Sequence, residues 1–287
     1  MIYAGVELGG TKCVALLCSG PDDVIEREVI LTTRPDETLG KIESILRKWQ
    51  FEALGIASFG PIDVDAGSPT YGQMLATPKP GWAGVDVLRR LTAGLDAPAA
   101  LDTDVNGAAL AEMRWGAGLG LADFAYITVG TGVGVGLIVA GNPTRGFAHC
   151  ELGHIRVARL PRDDWSGACP FHGDCVEGLA SGSALKARYG DELASLGQDD
   201  PVWEGVAWTL AQLCQAIVCA AAPRRIVMGG GVIDQQPHLL AKVQSRLVES
   251  LNGYIRLPDD GDFVRAPALG NDAGPLGAIA LAMTATP

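Results

Sequence analysis

Strand-like apolar runs alternate along this chain with helix-like segments. Before residue 120 they predict a β-hairpin over 2–18, strands over 24–31, 53–58 and 98–102, and helices over 36–49 and 106–116. Further on they predict a hairpin over 124–139, a strand over 225–228, and helices near 181–189, 202–222, 237–251 and 274–284. Strands mixed with helices in this way indicate an α/β protein.

Three glycine-rich turns each follow a strand-like run, at 5–12, 128–136 and 226–231. Glycines let backbone N–H groups approach phosphate oxygens, and successive N–H groups form an anion-binding nest. None of the turns has the spacing of a P-loop or of a dinucleotide-binding fingerprint. The first two lie in hairpins about half a chain apart. They suggest an internal duplication in which two hairpins face each other across a cleft and clamp a polyphosphate.

Length and composition limit the classes of protein. The chain has 287 residues, enough for one large domain or two medium ones, and we predict domains over 1–115 and 116–273, with the last helix, 274–287, returning to the first. A net charge of −11 argues against a nucleic-acid partner. No uncharged apolar run reaches about 18 residues, so no membrane span is predicted. Seven cysteines without a regular disulfide framework favour the reducing cytoplasm.

A cluster of cysteines and histidines is the strongest local signal. Its four potential ligands are Cys169, His172, Cys175 and, upstream in the sequence ELGH, His154. Thiolate and imidazole suit zinc, which prefers four such ligands in a tetrahedron; ordinary buried cysteines are the alternative interpretation. Glu151 and Glu177 bracket the cluster, so we predict a zinc-stapled loop over 151–177 that holds carboxylates over a polar ligand. His149 and His238 are expected to be solvated residues of a loop or a helix start.

Asp104 follows the predicted strand 98–102 at the start of the predicted helix 106–116. A carboxylate in this position can point into a cleft and accept a proton from a hydroxyl group. It can also simply cap the helix, a role that Asp102 or Thr103 could fill as well. The residues alone leave these interpretations open.

Nine segments carry a family resemblance when taken in order. They are GVELGGTK (5–12), ASFGPID (57–63), ATPKPGW (76–82), DTDVNGAA (102–109), GTGVGVG (130–136), ELGHIRV (151–157), CPFHGDCVEGLASG (169–182), PRRIVMGGGV (223–232) and GNDAG (270–274). Through them nearly the whole chain resembles the ROK family of sugar kinases, and more narrowly its bacterial fructokinase branch. Glu7 and Thr103 stand where many members have Asp and Asn, and both variants resemble that branch.

The resemblance implies a two-domain actin-like ATPase (ribonuclease H-like) fold, of the actin/hexokinase/heat-shock-70 group, with an interdomain cleft. It implies an ATP-dependent fructokinase that makes D-fructose 6-phosphate, with Asp104 as the general base. Glu7 would hold Mg²⁺ through water, and the zinc would be structural. The implied sugar-binding residues are Asp104, Glu151, Glu177, Gly60 and Pro61. The implied nucleotide-binding residues are Gly9, Gly10, Thr11, Lys12, Thr131, Gly132, Pro223, Gly229, Gly230, Gly270, Asn271, Asp272, Ala273 and Gly274.

Several alternatives remain at this stage. Within the family, the substrate could instead be mannose, glucose or an amino sugar, and a sugar-sensing protein without catalysis is a more remote possibility. A ROK repressor would need a DNA-binding segment before the first hairpin, where only four residues precede Gly5. The zinc cluster and the short length argue against a chaperone-like or cytoskeletal ATPase. The expected partners are a hexose and ATP, with no nucleic acid or membrane, in a homodimer.

Overall fold

The computed structural model describes residues 1–258 and 262–285. The chain forms two compact units. The first contains Met1–Gly120, Pro143–His149 and the segment from Asn271 onward, and the second contains Leu121–Asn142 and Cys150–Gly270. Each unit has a sheet and a hydrophobic core of its own.

The first unit is built on a five-stranded sheet in the order β3-β2-β1-β4-β5. Its strands are β1 (Tyr3–Leu8), β2 (Lys12–Gly20), β3 (Asp23–Leu31), β4 (Ala53–Ser58) and β5 (Ala99–Thr103). Its helices are α1 (Pro35–Leu46), α2 (Val87–Thr92), α3 (Asp104–Trp115) and the last helix of the chain, α9 (Ala273–Ala282). β1 pairs antiparallel with β2 and parallel with β4.

Burial explains the sequence pattern of the central strands of the first unit. All six residues of β4 are buried, as expected for a parallel strand that is covered on both faces. α9 packs on β1 and β4 and against α3, and nine of its ten residues are buried. The predicted return of the last helix therefore has a physical cause, since an almost wholly apolar helix must be covered. Residues 286 and 287 of that prediction lie outside the described residues.

The second unit contains a sheet in the order β10-β9-β6-β7-β8. Its strands are β6 (Phe124–Val129), β7 (Val133–Val139), β8 (Asn142–Pro143), β9 (Ile226–Gly229) and β10 (Val264–Arg265). Its helices are α4 (Val176–Ala180), α5 (Gly182–Tyr189), α6 (Val202–Ala221), α7 (Gly231–Gln235) and α8 (Leu239–Leu251). Short 3₁₀ turns lie at Leu152–His154, Gly190–Ser195 and Gly270–Asp272.

The two sheets have the same topology. In each, an antiparallel hairpin occupies the centre, a third strand extends it on one side, and two parallel strands extend it on the other. The predicted glycine-turn hairpins are confirmed as β1–β2 and β6–β7. The repeated topology agrees with the internal duplication inferred from them.

One described helix, α6, is long and apolar enough to span a membrane by length and composition alone. Half of its most apolar window is buried within the protein. Trp203, Leu210 and Ile217 are among the α6 residues in the core of the second unit. We therefore interpret α6 as a core helix.

The segment Pro143–His149 was not predicted to belong with the first unit. Arg145 forms an ion pair with Asp102, and His149 contacts Ile62. These partners lie far away in sequence, so no local pattern marks the contacts. The short helices α2 and α4 were also missed, because five or six residues are too few to show a helical period.

Candidate active site and metal centre

Asp104 is the first residue of α3 and follows β5 directly. The side chain of Thr103, not that of Asp102 or Asp104, caps the helix: its Oγ1 accepts a hydrogen bond from the Asn106 N–H at 3.2 Å. Asp104 lies in the first turn, where the helix dipole favours a negative charge. The capping role, which the sequence left open between Asp102, Thr103 and Asp104, therefore belongs to Thr103.

A buried polar network surrounds the start of α3. Asp102 is fully buried, and its Oδ1 accepts hydrogen bonds from Asn106 Nδ2 at 2.7 Å and from Thr103 N at 2.8 Å. Arg145 donates to Oδ2 of the same carboxylate. A buried carboxylate must be paired and hydrogen-bonded to be tolerated. The network therefore fixes both Asp102 and the first turn of α3.

His149 is buried, at 8% exposed, so the expectation of a solvated residue was wrong. Its Nε2 accepts a hydrogen bond from the Ile62 N–H at 3.3 Å. Ile62 directly follows Gly60 and Pro61, the two predicted sugar-binding residues, which are joined by a cis peptide bond. His149 thus supports the predicted sugar-binding segment, through a partner 87 residues away.

The first glycine loop closes on itself. The Gly9 N–H donates to the Lys12 carbonyl at 3.1 Å, so this amide serves the hairpin turn rather than an incoming anion. Thr32 holds the loop from the side: its hydroxyl donates to the Gly9 carbonyl at 2.7 Å, and its N–H donates to the Thr11 carbonyl at 2.9 Å. Of the predicted nucleotide-binding residues in the loop, Gly10 and Thr11 lie at its exposed tip.

Glu7 lies next to this loop, at the end of β1. Burial, and then the neighbouring Asp104 carboxylate, raise the pKa of Glu7 to about 7. Gly274 lies directly against the Glu7 carboxylate, where a Cβ atom would collide with it. The structure thereby brings the start of α9 to Glu7. The predicted residues Asn271, Asp272, Ala273 and Gly274 all belong to this unit, whereas Gly270 belongs to the second.

The second glycine loop lies in the other unit, between β6 and β7. Thr131 is exposed at its tip. The Val133 N–H at its end donates to Glu177 Oε2 at 3.1 Å. A Cβ atom at Gly132 would displace the Glu177 carboxylate, which lies directly against this glycine. The Gly182 N–H donates to the Gly130 carbonyl at 2.7 Å. α4 and the start of α5 are therefore in contact with the loop.

Two other predicted nucleotide residues reach the same edge of this sheet, and one does not. β9 runs parallel to β6 with Gly229 beside Thr128, so Gly229 and Gly230 end next to the second glycine loop. Pro223 precedes β9 and lies at the opposite end of that strand. Pro223 therefore cannot line the same adenosine site as Gly229 and Gly230, and that expectation is corrected.

The four predicted zinc ligands converge. The potential donor atoms of His154, Cys169, His172 and Cys175 all lie within 4.8 Å of one another. His154 Nδ1 is 3.7 Å from Cys169 Sγ and 3.6 Å from Cys175 Sγ, and His172 Nδ1 is 3.6 Å from Cys169 Sγ. Zn–S bonds of about 2.3 Å and Zn–N bonds of about 2.05 Å, at tetrahedral angles, separate such atoms by about 3.6 Å. The donor set and its spacing fit zinc.

Short local structures place these ligands. A tight turn, with mutual backbone hydrogen bonds between Cys169 and Gly173, presents Cys169 and His172. Cys175 is the N-cap of α4, and its Sγ accepts a hydrogen bond from the Gly178 N–H at 3.4 Å. Burial, and then the neighbouring Cys169 thiol, raise the pKa of the Cys175 thiol. A metal ligand must bind as the thiolate, so metal binding at this cluster would release the Cys175 proton.

Glu177 links the cluster to the second glycine loop. Its Oε1 lies 3.9 Å from His154 Nε2, the ring nitrogen that faces away from the cysteines. A carboxylate that accepts a hydrogen bond from this nitrogen orients a metal-bound histidine, and Glu177 lies within ion-pair distance of it. Glu151, the other predicted sugar-binding carboxylate, is exposed at the start of the 3₁₀ turn that carries His154.

Comparisons with known proteins agree with this geometry. The model of the ROK family matches residues 3–285. The fructokinase of Zymomonas mobilis is 41% identical over 99% of this chain and 97% of its own length. The fructokinase of Pediococcus pentosaceus is 38% identical over 99% of both chains.

Among solved structures, a ROK family glucokinase from Streptomyces griseus, in complex with glucose and AMPPNP, is 25% identical with a TM-score of 0.77. The match covers 99% of this chain and 100% of that one. The actin-like sugar kinase fold predicted from the sequence is thereby confirmed. The chain belongs to the ROK family.

Proposed function

We propose that this protein is an ATP-dependent fructokinase that converts D-fructose to D-fructose 6-phosphate. The observation that carries the choice of fructose is the identity of about two residues in five, over nearly the full length, to proteins named fructokinase. The Streptomyces griseus structure with AMPPNP supports an adenine nucleotide as the phosphoryl donor.

In the proposed reaction, the oxygen of the sugar's 6-hydroxyl group attacks the terminal phosphorus of ATP, and ADP leaves. Asp104 accepts the proton of that hydroxyl group during the attack. A base in this position aligns the hydroxyl and removes charge build-up on the attacking oxygen. The Thr103 cap and the buried Asp102 network support the proposal, because they anchor the first turn of α3; in the same turn, Asp104 Oδ1 accepts a hydrogen bond from the Val105 N–H at 2.9 Å.

Glu7 is the residue that would hold Mg²⁺, through water, and the bound ion would neutralise phosphate charge. Glu151, Glu177, Gly60 and Pro61 would contact the sugar, with His149 supporting the last two. Gly10, Thr11, Lys12, Thr131, Gly132, Gly229 and Gly230 would line the nucleotide site, with Gly270, Asn271, Asp272, Ala273 and Gly274 nearby. The zinc would be structural, since four protein ligands leave no open position.

We also propose that the two units are the two domains of a homodimeric cytoplasmic enzyme. Light scattering on the purified protein tests the dimer.

The function is tested by ADP release from Mg·ATP with a panel of hexoses. The panel contains fructose, glucose, mannose and N-acetylmannosamine. We expect kcat/KM to be highest for fructose. A higher value for another hexose would reassign the substrate, and absence of ADP release with every sugar would reject the kinase function.

A further inference from the structure

The motif ATPKPGW (76–82) has no role in the function described so far, yet its turn is firmly held within the first unit. Trp82 is completely buried, and its indole N–H donates to the Thr33 carbonyl at 2.9 Å. Its ring meets Phe59 edge-on, with 5.1 Å between the ring centroids. These contacts fix the turn against the end of β3 and against the residue that precedes Gly60.

The same strand end also holds the first glycine loop. Thr32, next to Thr33, bonds the Gly9 carbonyl through its hydroxyl and the Thr11 carbonyl through its N–H. The turn that contains the motif and the glycine loop therefore share one rigid support. A side chain that projects from this turn toward the first glycine loop therefore has a defined position relative to that loop.

Lys79 is that side chain. Its ammonium group donates a hydrogen bond to the Gly10 carbonyl and lies 5.9 Å from the centre of the Phe59 ring. Its own N–H donates to Thr77 Oγ1 at 3.3 Å. The positive charge thus touches the glycine loop on one side and, on the other, the residue next to Gly60.

A carbonyl group is a weaker partner for an ammonium ion than a phosphate oxygen, because the phosphate oxygen carries a negative charge that adds Coulomb attraction to the hydrogen bond. The charged neighbours of Glu7 are the carboxylates of Asp104 and Asp272 and the cations of Lys12 and Arg27, and the whole chain has a net charge of −11. A phosphoryl group that moves through this region needs cationic compensation. Lysine supplies it as a compact point charge on a flexible stem.

We propose that Lys79 leaves the Gly10 carbonyl and binds the phosphoryl group that is transferred. It would contact this group both as the terminal phosphate of the nucleoside triphosphate and as the phosphate of the sugar product. The inference rests on the proposed kinase function and assigns to it a residue outside the predicted nucleotide and sugar sets.

Isothermal titration of Lys79→Met, with Mg²⁺ present, tests the inference. Since hydrogen bonds to charged groups contribute about 1.5–3 kcal/mol, we expect AMPPNP to bind about 10- to 100-fold more weakly. Fructose 6-phosphate should lose affinity similarly. ADP and fructose lack the transferred group, so their affinities should change less than about threefold. Lys79→Arg should retain most of the AMPPNP affinity.

Lys41→Met is the matched control, because Lys41 is exposed and paired with Glu37 on α1; its nucleotide affinities should equal those of the wild type. Equal losses for ADP and AMPPNP, or no loss for either, would overturn the assignment of Lys79. If Lys79→Met lowers the melting temperature, Lys79→Gln replaces it in the same titrations. Its affinity for AMPPNP should then fall relative to its affinity for ADP, and an unchanged ratio would overturn the assignment. Wild-type protein that phosphorylates no hexose would reject the kinase function, a result separate from these affinity ratios.

Discussion

Glu177 accepts a hydrogen bond from the backbone N–H of Val133, with 3.1 Å between Oε2 and N. The other oxygen of the same carboxylate lies 3.9 Å from Nε2 of His154. One side chain therefore joins the cysteine–histidine cluster to the second glycine loop within the second unit. Loss of its charge should affect the cysteine–histidine cluster, whereas the bond to Val133 requires only an acceptor oxygen.

We predict that Glu177→Gln lowers zinc affinity about 10- to 100-fold, the usual effect of removing the outer partner of a metal-bound histidine. The amide oxygen can still accept from Val133, so the loop should keep its conformation. Competition with a chromogenic chelator measures the affinity. Glu249→Gln, which alters an exposed partner of Arg246 on α8, should leave it unchanged. Equal zinc affinity in Glu177→Gln and wild type would exclude the link.

Cys175→Ser should lower both the zinc content and the melting temperature. The unfolded chain has no preformed site, so the binding energy of the metal stabilises the folded loop. Serine still caps α4, so the loss cannot come from the missing cap. Metal analysis and thermal unfolding measure the two effects, with the exposed Cys219→Ser as the control. We expect one zinc per wild-type chain; a content near zero with full activity would show that the cluster does not bind metal.

Asp104→Asn should reduce kcat by about 10²- to 10⁴-fold, because the amide keeps the shape of the side chain but cannot accept the proton. The fold should be retained, since Thr103 caps α3 and Asp102 anchors its first turn. Steady-state kinetics and a melting curve of the same sample test this. A loss in kcat below about tenfold, with unchanged melting, would remove Asp104 from the role of base.

The raised pKa of Glu7 predicts a pH dependence of stability. Burial moves this pKa from 4.5 to about 7, so between these values the folded protein binds more protons than the unfolded chain. Stability should therefore fall as pH rises through this window, by up to about 1.4 kcal/mol per pH unit, and level off above it.

Urea unfolding of wild type and Glu7→Gln in magnesium-free buffer, from pH 5 to 8, measures this contribution as the difference between the two proteins. The exposed Glu52→Gln serves as the control and should behave as the wild type. If the difference in the free energy of unfolding between wild type and Glu7→Gln does not vary with pH, the raised pKa of Glu7 is contradicted.

The sequence by itself determined the elements and chemistry that depend on neighbours along the chain. The hairpins predicted over 2–18 and 124–139 follow from glycine turns between apolar runs, since turn conformation is set locally. Three of the zinc ligands lie within seven residues, so their chemistry could be recognised before their geometry was known.

Tertiary structure decided the contacts between residues that are distant along the chain. Pro223 and Gly229 lie close in sequence but at opposite ends of β9. Arg145 and Asp102, His149 and Ile62, and Lys79 and Gly10 meet across 43, 87 and 69 residues respectively. The physical reason is that each sequence pattern reports which side of an element is apolar. Which polar groups then face one another depends on how strands pair and helices pack.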